Sequence, residues 1–281
     1  MPKNNVEQYR VFGNPITHSR SPFIHHAFAK NTNQSLHYDK KFVELDGFDD
    51  AVNAFIIEGG KGINVTVPFK EQALKIANKL SKRAELAGAV NTLCFKDGYI
   101  YGDNTDGEGL VQDLIRNNIQ LHNAKILLLG AGGAAKGVLL PLLEQHPLTI
   151  TIVNRTVSKA EALSEKVNQY IGVEKVLFCG FNELKNNKFD VIINATSASL
   201  SGALPPIPAN IVNNKVTCYD MVYGKNLTPF LLWATHNNAK KVIDGLGMLV
   251  EQAAISFELW TKEKPDVDEV LSSLRKSIAA E

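Results

Sequence analysis

Cysteine is scarce in this chain. Cys94, Cys179 and Cys218 are odd in number and far apart, so they supply neither a disulfide framework nor a zinc site. They read as thiols of a reducing compartment, and the expected location is the cytoplasm. An excess of one charge is also missing. With 30 basic and 29 acidic residues the formal net charge is +1, which gives no field for nucleic acid or a membrane surface. No apolar run reaches the roughly 18 residues of a membrane helix. Met1-Pro2-Lys3-Asn4-Asn5 leads into no apolar segment of the secretory type, so no leader is expected. Asn64-Val65-Thr66 therefore carries no expectation of glycosylation. Repeats, low-complexity tracts and long linkers are lacking, and Pro205-Pro206-Ile207-Pro208 reads as a loop. No metal is expected, because His25 and His26 have no third ligand at a suitable spacing and read as residues of a helix surface or core.

What is present is an alternation of strand and helix patterns. At 281 residues the chain exceeds the usual size of one hydrophobic core, so two domains are the default. Lys125–Leu129 reads as a buried strand running into Gly130-Ala131-Gly132-Gly133-Ala134 and then a helix. Glycines at 130 and 132 permit a tight turn and close approach to a bound group, and a helix N-terminus there suits a pyrophosphate. Ala135 stands where the dinucleotide fingerprint tolerates a small residue. A P-loop is excluded because no lysine falls in register after Gly130 or Gly132. The next strand, Thr149–Val153, ends at Asn154-Arg155-Thr156. An NAD site would place a carboxylate near this point, whereas a guanidinium flanked by small polar residues suits a 2′-phosphate, so the expected cofactor is NADP. Further strands are expected at 175–178, 189–194, 216–220 and 241–243, which completes a doubly wound sheet of six.

The glycine turn comes late in the chain, which leaves room before it for a separate α/β substrate domain. Strands are expected there near 8–12, 37–43, 61–65, 91–95 and 99–102, and helices near 22–30, 47–57, 69–80 and 106–117. Four segments are unusual for scaffolding. His18-Ser19-Arg20-Ser21-Pro22 places two hydroxyls at a helix start, where capping by Ser21 and binding of a carboxylate fit equally well. In Asn64-Val65-Thr66-Val67-Pro68-Phe69-Lys70, Pro68 is expected to open a helix. Lys70 then falls in a first turn, where the dipole disfavours a cation, although a solvated surface lysine is the plainer reading. Asn91 is embedded in small and apolar residues and could equally make a structural hydrogen bond. In Gly102–Gly109, Thr105 and Glu108 have capping-box spacing, but capping does not require two glycines, which are read as clearing space above Asp106.

Taken together, NVTVPFK (64–70), AGAVNT (87–92), GDNTDG (102–107), LLLGAGGAAKG (127–137), VNRT (153–156), INATS (193–197) and DGLGMLVEQAAISFELW (244–260) resemble the shikimate dehydrogenase family in order and spacing, from Tyr9 to about Trp260. The resemblance implies NADPH-dependent reduction of 3-dehydroshikimate to shikimate in aromatic amino-acid biosynthesis. It implies a substrate domain at 1–106 completed by 248–281, with a Rossmann-type NADP-binding domain at 107–247 and C-terminal helices returning to the first domain. Carried over by position, the carboxylate-binding serines are Ser19 and Ser21, with Tyr223 nearby. The ring-hydroxyl contacts are Asn64, Thr66, Asn91 and Gln252, and the catalytic pair is Lys70 and Asp106. The cofactor contacts are Gly130, Ala131, Gly132, Gly133, Ala134, Asn154, Arg155, Thr156, Lys159, Thr196, Met221 and Gly245. Val222 and Gly224 depart from the bulkier residues common beside the tyrosine.

The chemistry has its own logic. Ketone reduction needs a hydride at carbon and a proton at oxygen, and an ammonium aimed at the carbonyl supplies charge stabilisation and the proton together. Rivals are a quinate/shikimate dehydrogenase paralogue of broader range, a methylenetetrahydrofolate dehydrogenase, and a non-catalytic NADPH-binding regulator. Arg155 disfavours an NAD-dependent quinate enzyme. The serine pair and GDNTDG disfavour the folate enzyme, and retention of Lys70 and Asp106 disfavours the regulator. The partners expected are a small-molecule substrate and, at most, a second copy of the chain: a monomer or a homodimer, without nucleic acid or membrane.

Overall fold

Among the described residues, two six-stranded sheets, each with its own helices, organise the chain. The computed structural model describes residues 6–184 and 188–281. One unit holds the chain up to Gly109 together with Leu249–Lys276; the other holds Leu110–Met248 and Ser277–Glu281.

The first unit contains β1 (Glu7–Gly13), α1 (Ser21–Asn31), β2 (Leu36–Phe42), α2 (Phe48–Ile57), β3 (Gly62–Val65), α3 (Lys70–Ile76), β4 (Lys79–Leu80), α4 (Lys82–Ala87), β5 (Thr92–Lys96) and β6 (Tyr99–Asp103). Its sheet runs β2-β1-β3-β5-β6-β4. The β2-β1-β3 part is parallel, while β5 runs antiparallel to both β3 and β6. This reversal brings the C-terminal ends of β3 and β6 beside the N-terminal end of β5, with Asn64 opposite Thr92 and Thr92 opposite Asp103. A cluster of Phe12, Phe48, Phe55, Phe69, Ile63 and Leu93 fills one side of the sheet.

Three local expectations change. The helix expected over 69–80 ends at Ile76, because Asn78 leaves it to pair with Ile100: its N–H donates to the Ile100 carbonyl and its Oδ1 accepts from the Ile100 N–H, each at 2.8 Å. A new helix, α4, then starts under a Ser81 cap that accepts from the Ala84 N–H. Pro68 does not open α3; Val67–Phe69 form a turn, closed by the Phe69 N–H on the Thr66 carbonyl, and Lys70 is the first helical residue. Ser21 is not the cap of α1 either. Arg20 occupies that position, and Ser21 is already helical.

The chain enters the second unit within α5 (Asp106–Arg116) and continues through β7 (Lys125–Leu129), α6 (Gly133–Glu144), β8 (Thr149–Val153), α7 (Val157–Ile171), β9 (Val176–Cys179), β10 (Val191–Asn194), β11 (Thr217–Asp220), α8 (Pro229–His236) and β12 (Lys241–Asp244). It returns within α9 (Leu246–Thr261) and ends with α10 (Val267–Ala280). The sheet order is β12-β11-β10-β7-β8-β9, every pair parallel. Numbered within the unit this is 6-5-4-1-2-3, the doubly wound dinucleotide order, with its topological switch point between β7 and β10. Helices on both faces explain why 126–129 and 191–194 are buried throughout, and why 126–129 and 191–193 read as continuous apolar runs.

Candidate active site

The reversal of β5 assembles the polar centre of the first unit. Lys70, at the start of α3, is held by its own carbonyl, which accepts from the Val90 N–H at 2.9 Å. Its Nζ stands 2.5 Å from Asp106 Oδ2, and Asn91 Nδ2 donates to the other carboxylate oxygen at 2.8 Å. Asn91 Oδ1 in turn accepts from the Thr105 N–H and from Thr92 Oγ1, both at 2.9 Å. Gln252 Oε1, on α9, closes the group at 3.4 Å from both Asn91 Nδ2 and Thr105 Oγ1. Asp106 and Lys70 are each partly exposed, so the ion pair faces reachable space.

Asn64 carries this network to the far side. Its Nδ2 donates to Thr92 Oγ1 and Ser256 Oγ at 3.1 Å, and its Oδ1 accepts from the Tyr38 hydroxyl at 2.6 Å. His25 Nε2 lies 3.1 Å from the same oxygen, and its ring stacks on Tyr38 at 4.2 Å. Both residues are buried, and burial drives both pKa values toward the neutral forms: His25 falls to about 3 and Tyr38 rises well above its usual value. The hydrogen bond to Asn64 opposes the fall and the one from Ser21 opposes the rise, neither sufficiently. Tyr38 thus touches Ser21 and Asn64 at once. Ser19 Oγ and Ser21 Oγ are 3.3 Å apart. Thr66, half-buried, follows β3 with its N–H on the Phe12 carbonyl.

Gly109 has a different purpose from the one expected. A Cβ there would come within 2.7 Å of the Gln252 backbone nitrogen and 2.9 Å of its Cα. The glycine admits α9 against α5 and so brings Gln252 to the network, rather than clearing space over the carboxylate.

In the second unit, a cleft of about 840 Å³ opens at the carboxyl ends of β7, β8 and β10, beside the switch point. Gly130–Ala134, Asn154, Arg155, Thr196 and Met221 line it, together with Phe181, Leu200 and Leu204. Gly130 has φ +108°, a conformation open to glycine and strained for other residues. Gly132 caps α6 with no side-chain bond, and a Cβ on Gly132 or Gly133 would meet only open space, so the helix N–H groups face the cleft unobstructed. Arg155 is exposed on the loop after β8, which Asn154 braces by donating to the Thr156 carbonyl at 2.9 Å. Thr156 and Lys159 are exposed on the residues that follow. Gly245 is buried instead, its N–H on the Val222 carbonyl. Tyr223 is carried by this unit, two residues after Met221.

Several members of these networks escape a reading of the sequence. Tyr38 is the one fully buried residue of the edge strand β2, and His25 has no motif around it. Ser256 was available as a signal, since it stands four residues after Gln252 on the same helix face. Around the cleft, buried Asp220 accepts from Ser199 Oγ and Thr228 Oγ1 at 2.6 Å and from Asn194 Nδ2 at 3.2 Å, while Asn194 Oδ1 holds Thr196 Oγ1 at 2.7 Å. These polar strand ends set the loops that line the cleft. Among the described residues no cluster of His, Cys, Asp or Glu could hold a metal, and no helix is long and apolar enough to cross a membrane.

A doubly wound dinucleotide unit, joined to an α/β unit that presents a lysine–aspartate pair among amides and hydroxyls, defines a nicotinamide-dependent oxidoreductase. Comparison with known proteins specifies it further: the chain belongs to the shikimate dehydrogenase family. Residues 11–93 match the shikimate dehydrogenase substrate-binding domain, 113–202 the shikimate/quinate 5-dehydrogenase model and 245–275 the shikimate 5′-dehydrogenase C-terminal domain. A shikimate dehydrogenase (NADP(+)) of Colwellia psychrerythraea is 58% identical, covering 99% of this chain and 100% of the relative. Among solved structures, an Ael1 enzyme from Pseudomonas putida is 43% identical with a TM-score of 0.91, covering 95% of this chain and 98% of the other. The shikimate 5-dehydrogenase of Thermus thermophilus, in complex with NADP(H) and shikimate, is 29% identical with a TM-score of 0.85, covering 97% of this chain and 100% of the other.

Proposed function

We propose that this protein catalyses the reversible NADPH-dependent reduction of 3-dehydroshikimate to shikimate, in the cytoplasm, as a step of aromatic amino-acid biosynthesis. The observation that carries the reading is the Lys70–Asp106 pair, held by Asn91 and set among the amides and hydroxyls of Gln252, Thr105 and Thr92. The first unit acts as the substrate domain and the second as the NADP domain, with boundaries a few residues from the 1–106, 248–281 and 107–247 expected. Ser19 and Ser21 bind the substrate carboxylate with Tyr223, and Asn64, Thr66, Asn91 and Gln252 recognise its ring hydroxyls.

The cleft suits a dinucleotide with a 2′-phosphate. The open N-terminus of α6 offers N–H groups to a pyrophosphate, and Arg155 stands after β8 where a carboxylate would serve a free ribose hydroxyl. Thr156, Lys159, Thr196, Met221 and Gly245 complete the proposed contacts. When bound, NADPH supplies the hydride. Lys70, as the ammonium, polarises the substrate carbonyl and gives its proton to the forming alkoxide. Asp106 accepts from the substrate hydroxyl and holds Lys70 in place, and Asn91 prevents its carboxylate from turning. In the oxidative direction neutral Lys70 takes the hydroxyl proton.

Initial rates with shikimate and quinate, each with NADP and NAD, test this. Preference for the shikimate–NADP pair is the expected result. Comparable rates with quinate or NAD would favour a broader shikimate/quinate dehydrogenase, and no rate with any pair would leave the proposed reaction without support.

A further inference from the structure

We propose that Arg83 is a positioning residue for Asp106, clamping the segment that bears it from both sides. The inference rests on the reading of Asp106 as the partner of Lys70. Arg83 lies in the first turn of α4. Its Nε donates to Asp103 Oδ1 at 2.8 Å and Nη2 to Asp103 Oδ2 at 2.7 Å, while Nη1 stands 3.8 Å from Glu108 Oε2. Asp103 precedes Asp106 by three residues and Glu108 follows it by two. The guanidinium therefore ties the end of β6 to the first turn of α5 across the catalytic carboxylate.

Asp103 is built as an anchor. It is buried, and it also accepts from Ser81 Oγ at 2.5 Å and from the Asn104 N–H at 2.7 Å. Burial alone would raise its pKa; the hydrogen bonds and charge of Arg83, with Ser81 and Asn104, outweigh it and hold the carboxyl below the usual range. Asn104 then fixes the turn, donating its Nδ2 to the Ala89 carbonyl and accepting the Asp106 N–H on its Oδ1 at 3.2 Å. The same α4 leads through Gly88 to Asn91, so one helix restrains both Asp106 and the amide that holds it. Lysine cannot replace this arrangement, because a single ammonium does not span two carboxylates through three nitrogens.

The test is a double-mutant cycle on the full chain with Arg83→Lys and Asp106→Asn, reading shikimate oxidation per titrated NADP-binding site. Arg83→Lys should bind NADP normally and lose roughly 10- to 100-fold in turnover, the scale expected when a reacting group is slightly misplaced. In the Asp106→Asn background the same change should add nothing. Arg83→Met with Asp103→Asn removes both charges without leaving a lone buried carboxylate, and should reproduce the loss in a folded protein. Normal turnover in Arg83→Lys beside a crippled Asp106→Asn overturns the proposal alone, as does a loss that multiplies in full on Asp106→Asn. Near-normal turnover in Asp106→Asn removes the reading beneath the proposal, and the proposal with it.

Discussion

Lys70 Nζ donates to Asp106 Oδ2 at 2.5 Å, so the cation at the start of α3 is matched by a carboxylate at the start of α5. The pair settles an electrostatic oddity, since a cation is disfavoured at a helix N-terminus unless something else needs it there. General acid–base assistance is typically worth ~10²–10⁴ in rate, so Lys70→Ala should lower turnover by about that factor while shikimate still binds. Lys70→Arg should not restore it, because a guanidinium keeps its proton near neutral pH. Asp106→Asn should also lower turnover, with a larger effect on the Michaelis constant than Lys70→Ala. Steady-state rates settle the matter: a Lys70→Ala enzyme turning over normally would make this lysine a surface residue.

Arg155 lines the cleft after β8 with no carboxylate at the strand end. Loss of a charge-assisted bond to a 2′-phosphate costs about 1.5–3 kcal/mol, or roughly 10- to 150-fold in affinity. Arg155→Ala should weaken NADP by that amount and leave NAD nearly unchanged, as read by fluorescence titration of both. Equal weakening of the two would assign Arg155 to the loop structure instead.

Ser19 and Ser21 now make a matched test. Because Arg20 rather than Ser21 occupies the cap position, Ser21→Ala does not uncap α1. Each alanine variant should raise the Michaelis constant for shikimate and leave NADP affinity alone. Ser21→Ala also removes a contact of Tyr38 and should have the larger effect. If a carboxyl-reduced analogue is used as well as shikimate, the serines do not bind the carboxylate.

The doubly wound sheet was legible because buried parallel strands leave continuous apolar runs, and Lys125–Leu129 and Thr149–Val153 were bounded to the residue. The Lys70 and Asp106 segments were legible because each breaks a local rule, a cation at a helix start and glycines within a first turn. What stayed hidden depends on long-range register. Tyr38 reaches Asn64 only because β2 and β3 flank β1, and Arg83 meets Asp103 only because Asn78 diverts the chain from α3 to pair with β6. Gly109 could be seen as unusual, but its reason lies in a helix that arrives more than a hundred residues later.

His25 should make the first unit acid-sensitive. The Asn64 amide is oriented by its Nδ2, which faces the Asn91 carbonyl at 3.3 Å, so its oxygen faces His25 and Nε2 must carry the proton. Nδ1 is then a buried atom with no hydrogen-bond partner, and protonating it would place an unpaired cation in the core. The folded-state pKa accordingly lies at about 3, against an ordinary value of 6.5 in the unfolded chain. Between those values the unfolded state binds the extra proton, so the stability contribution is complete above pH 6.5 and is lost as pH falls toward 3. The slope approaches about 1.4 kcal/mol per pH unit, or roughly 2 kcal/mol between pH 6.5 and 5. His26, exposed on the same helix, is lowered by partial burial and then by His37, and pulls in the same direction. Comparison with His25→Gln, whose amide can still donate to Asn64, isolates the buried ring. Urea midpoints measured from pH 7 to 5 should fall more steeply for the natural protein than for the variant. Parallel pH dependences would mean that His25 is not buried neutral.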